Sequence, residues 1–161
     1  MIFWRNNNTA WPFFLLLPII ATMVCACASK APVIDRPSVT FRGLTLSKGI
    51  TIKGNIAIPQ EASRTFDTTD NAVVALLSFN NIFGIIKLRW DWFDPNGRLF
   101  FSKESKTIKS NEGMYFKEFS AWHVLTIAGD KVEKMPGQWA LKIYMNDELL
   151  TQKTFFILEK I

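Results

Sequence analysis

The stretch "IIKLRWDWFDPNGRLFF", residues 85–101, constrains the fold more than any other part of the chain. Its large apolar side chains return every second residue, whereas a helix would space them three or four apart. Only a strand puts Ile86, Leu88, Trp90 and Trp92 on one face and Lys87, Arg89 and Asp91 on the other. "DPNG" follows, with proline at the second turn position and a glycine that tolerates positive φ. The chain then returns through "RLFF", which makes the whole segment a β-hairpin.

The same period runs through the rest of the chain. "GITIKGNIAIP" places Ile50, Ile52, Ile56 and Ile58 on one face, ended by Pro59, and "PQEASRTFDTTDN" reads as a polar loop. "AVVALLSFNNI" is nearly continuous in apolar residues, which fits a buried central strand or, by periodicity alone, a helix segment. "GMYFKEFSAWHVLTIAG" holds one or two strands, the second over about 122–127, and "DKVEKMPG" is a loop. "QWALKIYM" puts Trp139, Leu141, Ile143 and Met145 on one face, and "LLTQKTFFIL" closes the chain with Phe155 and Ile157 inward. Seven or eight short strands with turns between them predict an all-β antiparallel sandwich. The domain is expected over residues 42–161.

Residues 72–158 resemble the immunoglobulin-like domains of bacterial surface and periplasmic proteins. The resemblance rests on "WFDPNGRLF" as an inner hairpin and on "PGQWALKIYMNDELLTQKTFFI" as the closing pair of strands. It implies that Trp139, the aromatic after a Pro-Gly, begins the penultimate strand and plugs the core. No cysteine pair bridges the sheets, so an antibody-type domain is excluded. Such sandwiches host many functions, and the resemblance names none of them.

The first thirty residues, "MIFWRNNNTAWPFFLLLPIIATMVCACASK", have the order of a secretory signal: a short n-region with one cation, Arg5, an apolar run, then small residues. That run is interrupted by Pro12 and Pro18 and is shorter than the ~20 residues that span a bilayer. Val24-Cys25-Ala26-Cys27 resembles the lipobox of bacterial lipoproteins. Cys27 fits as the modified cysteine, with Ala26 before it and Val24 three back. Cys25 fits badly, because valine would then stand where a small residue belongs. The resemblance implies a signal peptide over residues 1–26, with Val24, Cys25 and Ala26 read by the peptidase, and a diacylglyceryl thioether on Cys27. Two or three acyl chains anchor stably where one is marginal. Ala28 stands where enteric bacteria place the aspartate that retains lipoproteins at the inner membrane, which implies sorting to the outer membrane, facing the periplasm. A Cys25–Cys27 disulfide would be strained by having one residue between its ends. Residues 27–41, with two prolines and little periodicity, read as a tether.

The net charge of +5 is spread along the chain without a basic stripe or nucleic-acid motif, so nucleic acid is not expected as a partner. His123 is the one histidine, and no nucleophile elbow exists to complete a Ser-His-Asp triad with it. It reads as a half-exposed strand residue. Met114, Met135 and Met145 are scattered, so no copper site is expected. Asp91 reads as a solvated surface residue and Asp94 as a turn cap. Asp67 and Asp70 fall short of the six to eight oxygens that calcium takes and read as turn caps. No catalytic role, metal or cofactor is expected.

The aromatics are too many for one core, so one member of each adjacent pair, such as Phe93 or Phe116, is expected to face outward. With Lys87, Arg89 and Arg98 interleaved, that face is the candidate surface for a partner. The expected role is therefore a non-catalytic accessory lipoprotein, held at the membrane by Cys27 and docking an envelope protein. The alternative is a glycan- or peptidoglycan-binding module that uses the outward aromatics.

Overall fold

The computed structural model describes residues 38–54, 56–104, 108–109 and 116–160. Val24, Cys25, Ala26 and Cys27, the signal peptide and most of the tether lie outside the described residues, as does Met114. Eleven strands follow in order: β1 (Thr40–Lys53), β2 (Ile56–Ala62), β3 (Thr65–Asp67), β4 (Ala72–Ile82), β5 (Ile85–Ile86), β6 (Leu88–Phe93), β7 (Leu99–Glu104), β8 (Ile108–Lys109), β9 (Phe116–Thr126), β10 (Gly137–Met145) and β11 (Glu148–Leu158). One 3₁₀ turn, Lys131–Lys134, precedes β10. The fold is an all-β sandwich.

A four-stranded sheet in the order β2-β1-β4-β9 faces a five-stranded sheet in the order β3-β11-β10-β6-β7, and β5 and β8 form a small ladder of their own. The strand count thus exceeds seven or eight, and the first strand begins at Thr40, two residues inside the segment read as a tether. Its first aromatic, Phe41, already packs on Phe79 at 5.7 Å. The run at 72–82 is a strand, and central, as its continuous apolar character allows. Phe116–Thr126 is a single strand paired with β4 along its length, not two.

The core sits where the two-residue alternation puts it. Trp90, Trp92, Trp139, Leu141, Ile143, Phe155 and Ile157 are essentially inaccessible. Burying each of these large side chains contributes about 1.5–3 kcal/mol. Phe155 meets Phe66 and Trp92 edge-on at 5.8 and 5.9 Å and stacks on Trp139 at 6.4 Å. Met145 packs at the margin of this core, and the carbonyl of Met135 accepts the Trp139 indole N–H at 3.0 Å. The hairpin turn forms as expected: Asp94 Oδ1 accepts from the Asn96 and Arg98 amides at 2.9 Å, and Gly97 has φ +75°.

Three local expectations are corrected. The segment 59–71 is not only a loop, because β3 inserts Phe66 into the core and pairs in parallel with β11, which makes the five-stranded sheet mixed. Pro59 does not end β2. That strand is an edge, so a missing N–H on its outer side costs no ladder bond. The four isoleucines do not share a face either. Between β1 and β2 the register pairs Ile52 with Ala57 and Ile50 with Pro59, while Ile56 and Ile58 pair with Lys53 and Thr51. Even-numbered residues of β1 therefore share a face with odd-numbered ones of β2 here.

The long strand β1 is shared between two neighbours, pairing with β4 up to Ser47 and with β2 from Ser47 onward. Its second half and β2 arch back across the outer face of the sheet. Ile56 thereby lines one cleft together with Gly43 and Thr45 and with Phe119 and Ser120 of β9. The strands at the two ends of the sheet, β2 and β9, approach within 8 Å between Cα atoms. This curl explains why Val74 and Leu76, whose register places them on the outer face, are nearly inaccessible.

Candidate functional site

Two places bring chemically capable side chains together. The first is the side of the sandwich where β9 and β7 are the outermost strands. His123 pairs with Ala75 and so points between the sheets. Its Nδ1 accepts a hydrogen bond from the indole Nε1 of Trp92 at 3.2 Å, which joins the two sheets. Acceptance at Nδ1 fixes the neutral ring with its proton on Nε2. The imidazole is packed by Trp90 and Trp92 at 6.0 Å and by Phe101 at 5.6 Å between ring centroids. Burial, and secondarily the charge of Lys103, pull its pKa below the ordinary 6.5. Its described surroundings are rings and a cation, and the Trp92 hydrogen bond makes it a strut between the sheets.

This arrangement has a measurable consequence. A histidine whose folded pKa lies below its unfolded value binds the proton better once unfolded. Its contribution is then full above about pH 6.5 and is lost as pH falls toward the depressed folded value. Urea unfolding midpoints are expected to fall between about pH 7 and pH 5. In His123→Phe, which keeps the ring contacts and removes the proton site, the fall is expected to be smaller. An equal fall in both proteins would discard His123 as the source.

The second place is the cleft beneath the arch of β1 and β2. It has a volume of about 360 Å³ and is lined by Arg42, Gly43, Thr45, Ile56, Ser78, Phe79, Asn80, Glu118, Phe119 and Ser120. With its amide oxygen toward Arg42, Asn80 accepts from Nη1 at 3.2 Å, and its NH₂ donates to the Phe79 carbonyl at 3.2 Å. Ser120 is buried in the floor. Trp122, the next residue of β9 to face the same way, is 40% exposed.

The residues singled out from the sequence do not come together at either place. Phe93 is half-buried with the Lys142 ammonium 5.0 Å over its ring, and Phe116 packs on Phe119 at 5.4 Å against the core margin. The exposed large aromatics among the described residues are instead Phe101, Trp122 and Phe156. Phe101 lies at the sandwich edge, Trp122 on the outside of one sheet and Phe156 on the outside of the other. Lys87 is paired with Glu104 at 3.2 Å, and Arg89 with Asp91 and Asp147 at 3.3 and 3.5 Å. The Arg89 guanidinium also sits 4.1 Å over the Tyr144 ring.

Asp91 is not a solvated surface group. It is buried at 9% exposure, and the Ser102 hydroxyl donates to it at 2.6 Å. Asp67 and Asp70 shape a turn, with Asp70 Oδ2 accepting from the Asp67 amide and Asp70 Oδ1 held by Lys48, both at 2.9 Å. Among the described residues no three metal-ligating side chains cluster. The sequence signal that was missed is the parity switch between β1 and β2, which sends Ile56 to the cleft side.

No protein-family model matches this chain, and no curated protein sequence matches it. Solved structures with a similar fold include an immunoglobulin-like protein from Pseudomonas aeruginosa. It is 14% identical, with 77% of this chain and 99% of that one covered, at a TM-score of 0.44. Another is the alkylpurine DNA glycosylase AlkC of Pseudomonas fluorescens, bound to DNA containing an abasic site analogue. It is 11% identical, with 74% of this chain and 30% of that one covered, at a TM-score of 0.45. Likeness of this degree carries no argument about function.

Proposed function

We propose that this protein is a non-catalytic envelope lipoprotein, anchored through Cys27 and presenting its sandwich as a docking surface for an envelope protein. The Val24-Cys25-Ala26-Cys27 pattern supports the anchor, and Ala28 supports the outer membrane, on its periplasmic side. The observation that carries the docking role is strand β7. It is the outermost strand of its sheet among the described residues, with Leu99 and Phe101 exposed at 55% and 42%. An edge strand with a free hydrogen-bonding side can accept a strand from a partner, and flanking apolar side chains add specificity. Lys103 and Glu104 at its end discourage indiscriminate edge-to-edge pairing. The lipid confines the domain near its partner, and effective concentration supplies affinity that a short interface lacks.

Two measurements test the reading. Cys27→Ser is expected to leave the membrane fraction and to lose the mass of the acyl groups. Unchanged partitioning would overturn the anchor. A photocrosslinking residue at Leu99 is expected to give one discrete adduct with an envelope protein in cells, and the same residue at Gln152 none. Equal products from both positions would overturn the docking strand.

A further inference from the structure

The cleft beneath the arch carries an inference that goes beyond the docking reading and does not depend on it. We propose that the cleft is a binding site for a saccharide of one or two rings, with Trp122 as the platform on which a sugar ring stacks. The chemistry of the lining selects this class. Three hydroxyls (Thr45, Ser78 and Ser120), one amide (Asn80), one guanidinium (Arg42) and one carboxylate (Glu118) border the cavity. A wholly apolar ligand would strip water from these groups and return no hydrogen bonds, so it would bind at a loss. A phosphate or polyanion would meet Glu118 beside a single arginine already engaged by Asn80. A metal ion would find one carboxylate. A neutral polyhydroxylated ligand satisfies donors and acceptors alike, because each of its hydroxyls can do both.

Shape and stiffness agree with that chemistry. The volume of about 360 Å³ lies near the lower end of the ~300–1,000 Å³ usual for small-molecule sites. The Arg42–Asn80 hydrogen bond and the donation of Asn80 to the Phe79 carbonyl fix two polar planes before any ligand arrives. Trp122 follows Ser120 on the same face of β9, one step along the strand from the residues that line the cleft. At 40% exposure, that indole presents an apolar surface to which the C–H face of a pyranose can pack. Ile56 supplies an apolar wall opposite β9.

The test is a titration of the full chain, in a detergent without a sugar headgroup, with cellobiose, maltose and N,N′-diacetylchitobiose in turn. Calorimetry and the change in tryptophan fluorescence read the binding. At least one disaccharide is expected to bind in roughly the millimolar range or tighter. Trp122→Ala is expected to weaken it about tenfold or more, and Glu118→Gln, on the exposed rim, to change which disaccharide is preferred. Phe156→Ala, an exposed aromatic on the other sheet, is expected to leave affinity unchanged. The far-ultraviolet circular dichroism of each variant separates lost binding from lost fold. Absence of binding by all three disaccharides, or binding indifferent to both Trp122 and Glu118, overturns the proposal. The crosslinking from Leu99 reads a different surface, so the two readings stand or fall separately.

Discussion

Trp139→Ala is expected to destabilise the domain by about 3–5 kcal/mol, a large part of the ~5–15 kcal/mol that holds a typical domain together. Trp139 is fully buried near the start of the central strand β10. It stacks on Phe155 at 6.4 Å and meets Phe100 edge-on at 5.2 Å. Removing the indole empties a space that three strands border and strands the Met135 carbonyl, which accepts its N–H at 3.0 Å. Trp139→Phe restores much of the ring contact but not the donor, and is expected to cost clearly less. Urea denaturation checks both. The midpoint should fall in the order wild type, Phe variant, Ala variant, with the slope unchanged if the unfolded state is unaffected. An alanine variant within about 1 kcal/mol of wild type would mean that the strands close over the gap instead of leaving a cavity.

Gly137→Ala is the second large effect, and it concerns a single methyl group. Gly137 has φ +138°, a backbone region that side-chain-bearing residues rarely occupy. A Cβ built there would stand 2.9 Å from Cβ and 3.1 Å from Cγ of Pro95. Pro95 cannot swing aside, because Asp94 fixes its turn through two backbone amides. The backbone strain of about 1–3 kcal/mol and the overpacking of about 1–3 kcal/mol act together. The double variant Pro95→Gly with Gly137→Ala separates them: the clash disappears and the φ penalty stays. The double variant is therefore expected to be more stable than the two single effects added together predict. Strict additivity would show that Pro95 and residue 137 do not press on one another.

Alternation made the core legible from the sequence. Wherever a strand is half-buried, one side chain in two must be apolar. Trp90, Trp92, Trp139, Phe155 and Ile157 all lie on the face so read. Alternation says nothing across a turn, which is why Ile56 and Ile58 were placed with Ile50 and Ile52. Nor does it reveal pairing between distant segments. Phe66 lies in a polar stretch, and its burial depends on a parallel partner ninety-one residues later, Ile157. Asp91 looked solvated because it alternates with tryptophans. Ser102 and Arg89, which make its burial tolerable, come from a neighbouring strand and from two residues back. The outward aromatics were expected in number but not in identity. Phe93 and Phe116 are covered by Lys142 and Phe119, whereas Trp122 and Phe101 are left open by their places on edge strands. The cleft could not be read at all, since it exists only because β1 changes partners at Ser47 and doubles back.

The last strand has a consequence for the order in which the chain can fold. β11 lies between β10 and β3 in its sheet, so a chain lacking its final eleven-residue strand leaves β3 without a partner. Phe155, which meets Trp92, Trp139 and Phe66, is also missing until then. Contacts across such sequence separations close slowly, because the loop must be ordered before any burial rewards it. Nascent chains short of residue 155 therefore cannot form this core. Closure of this core therefore waits for β11, whichever strands have paired before it.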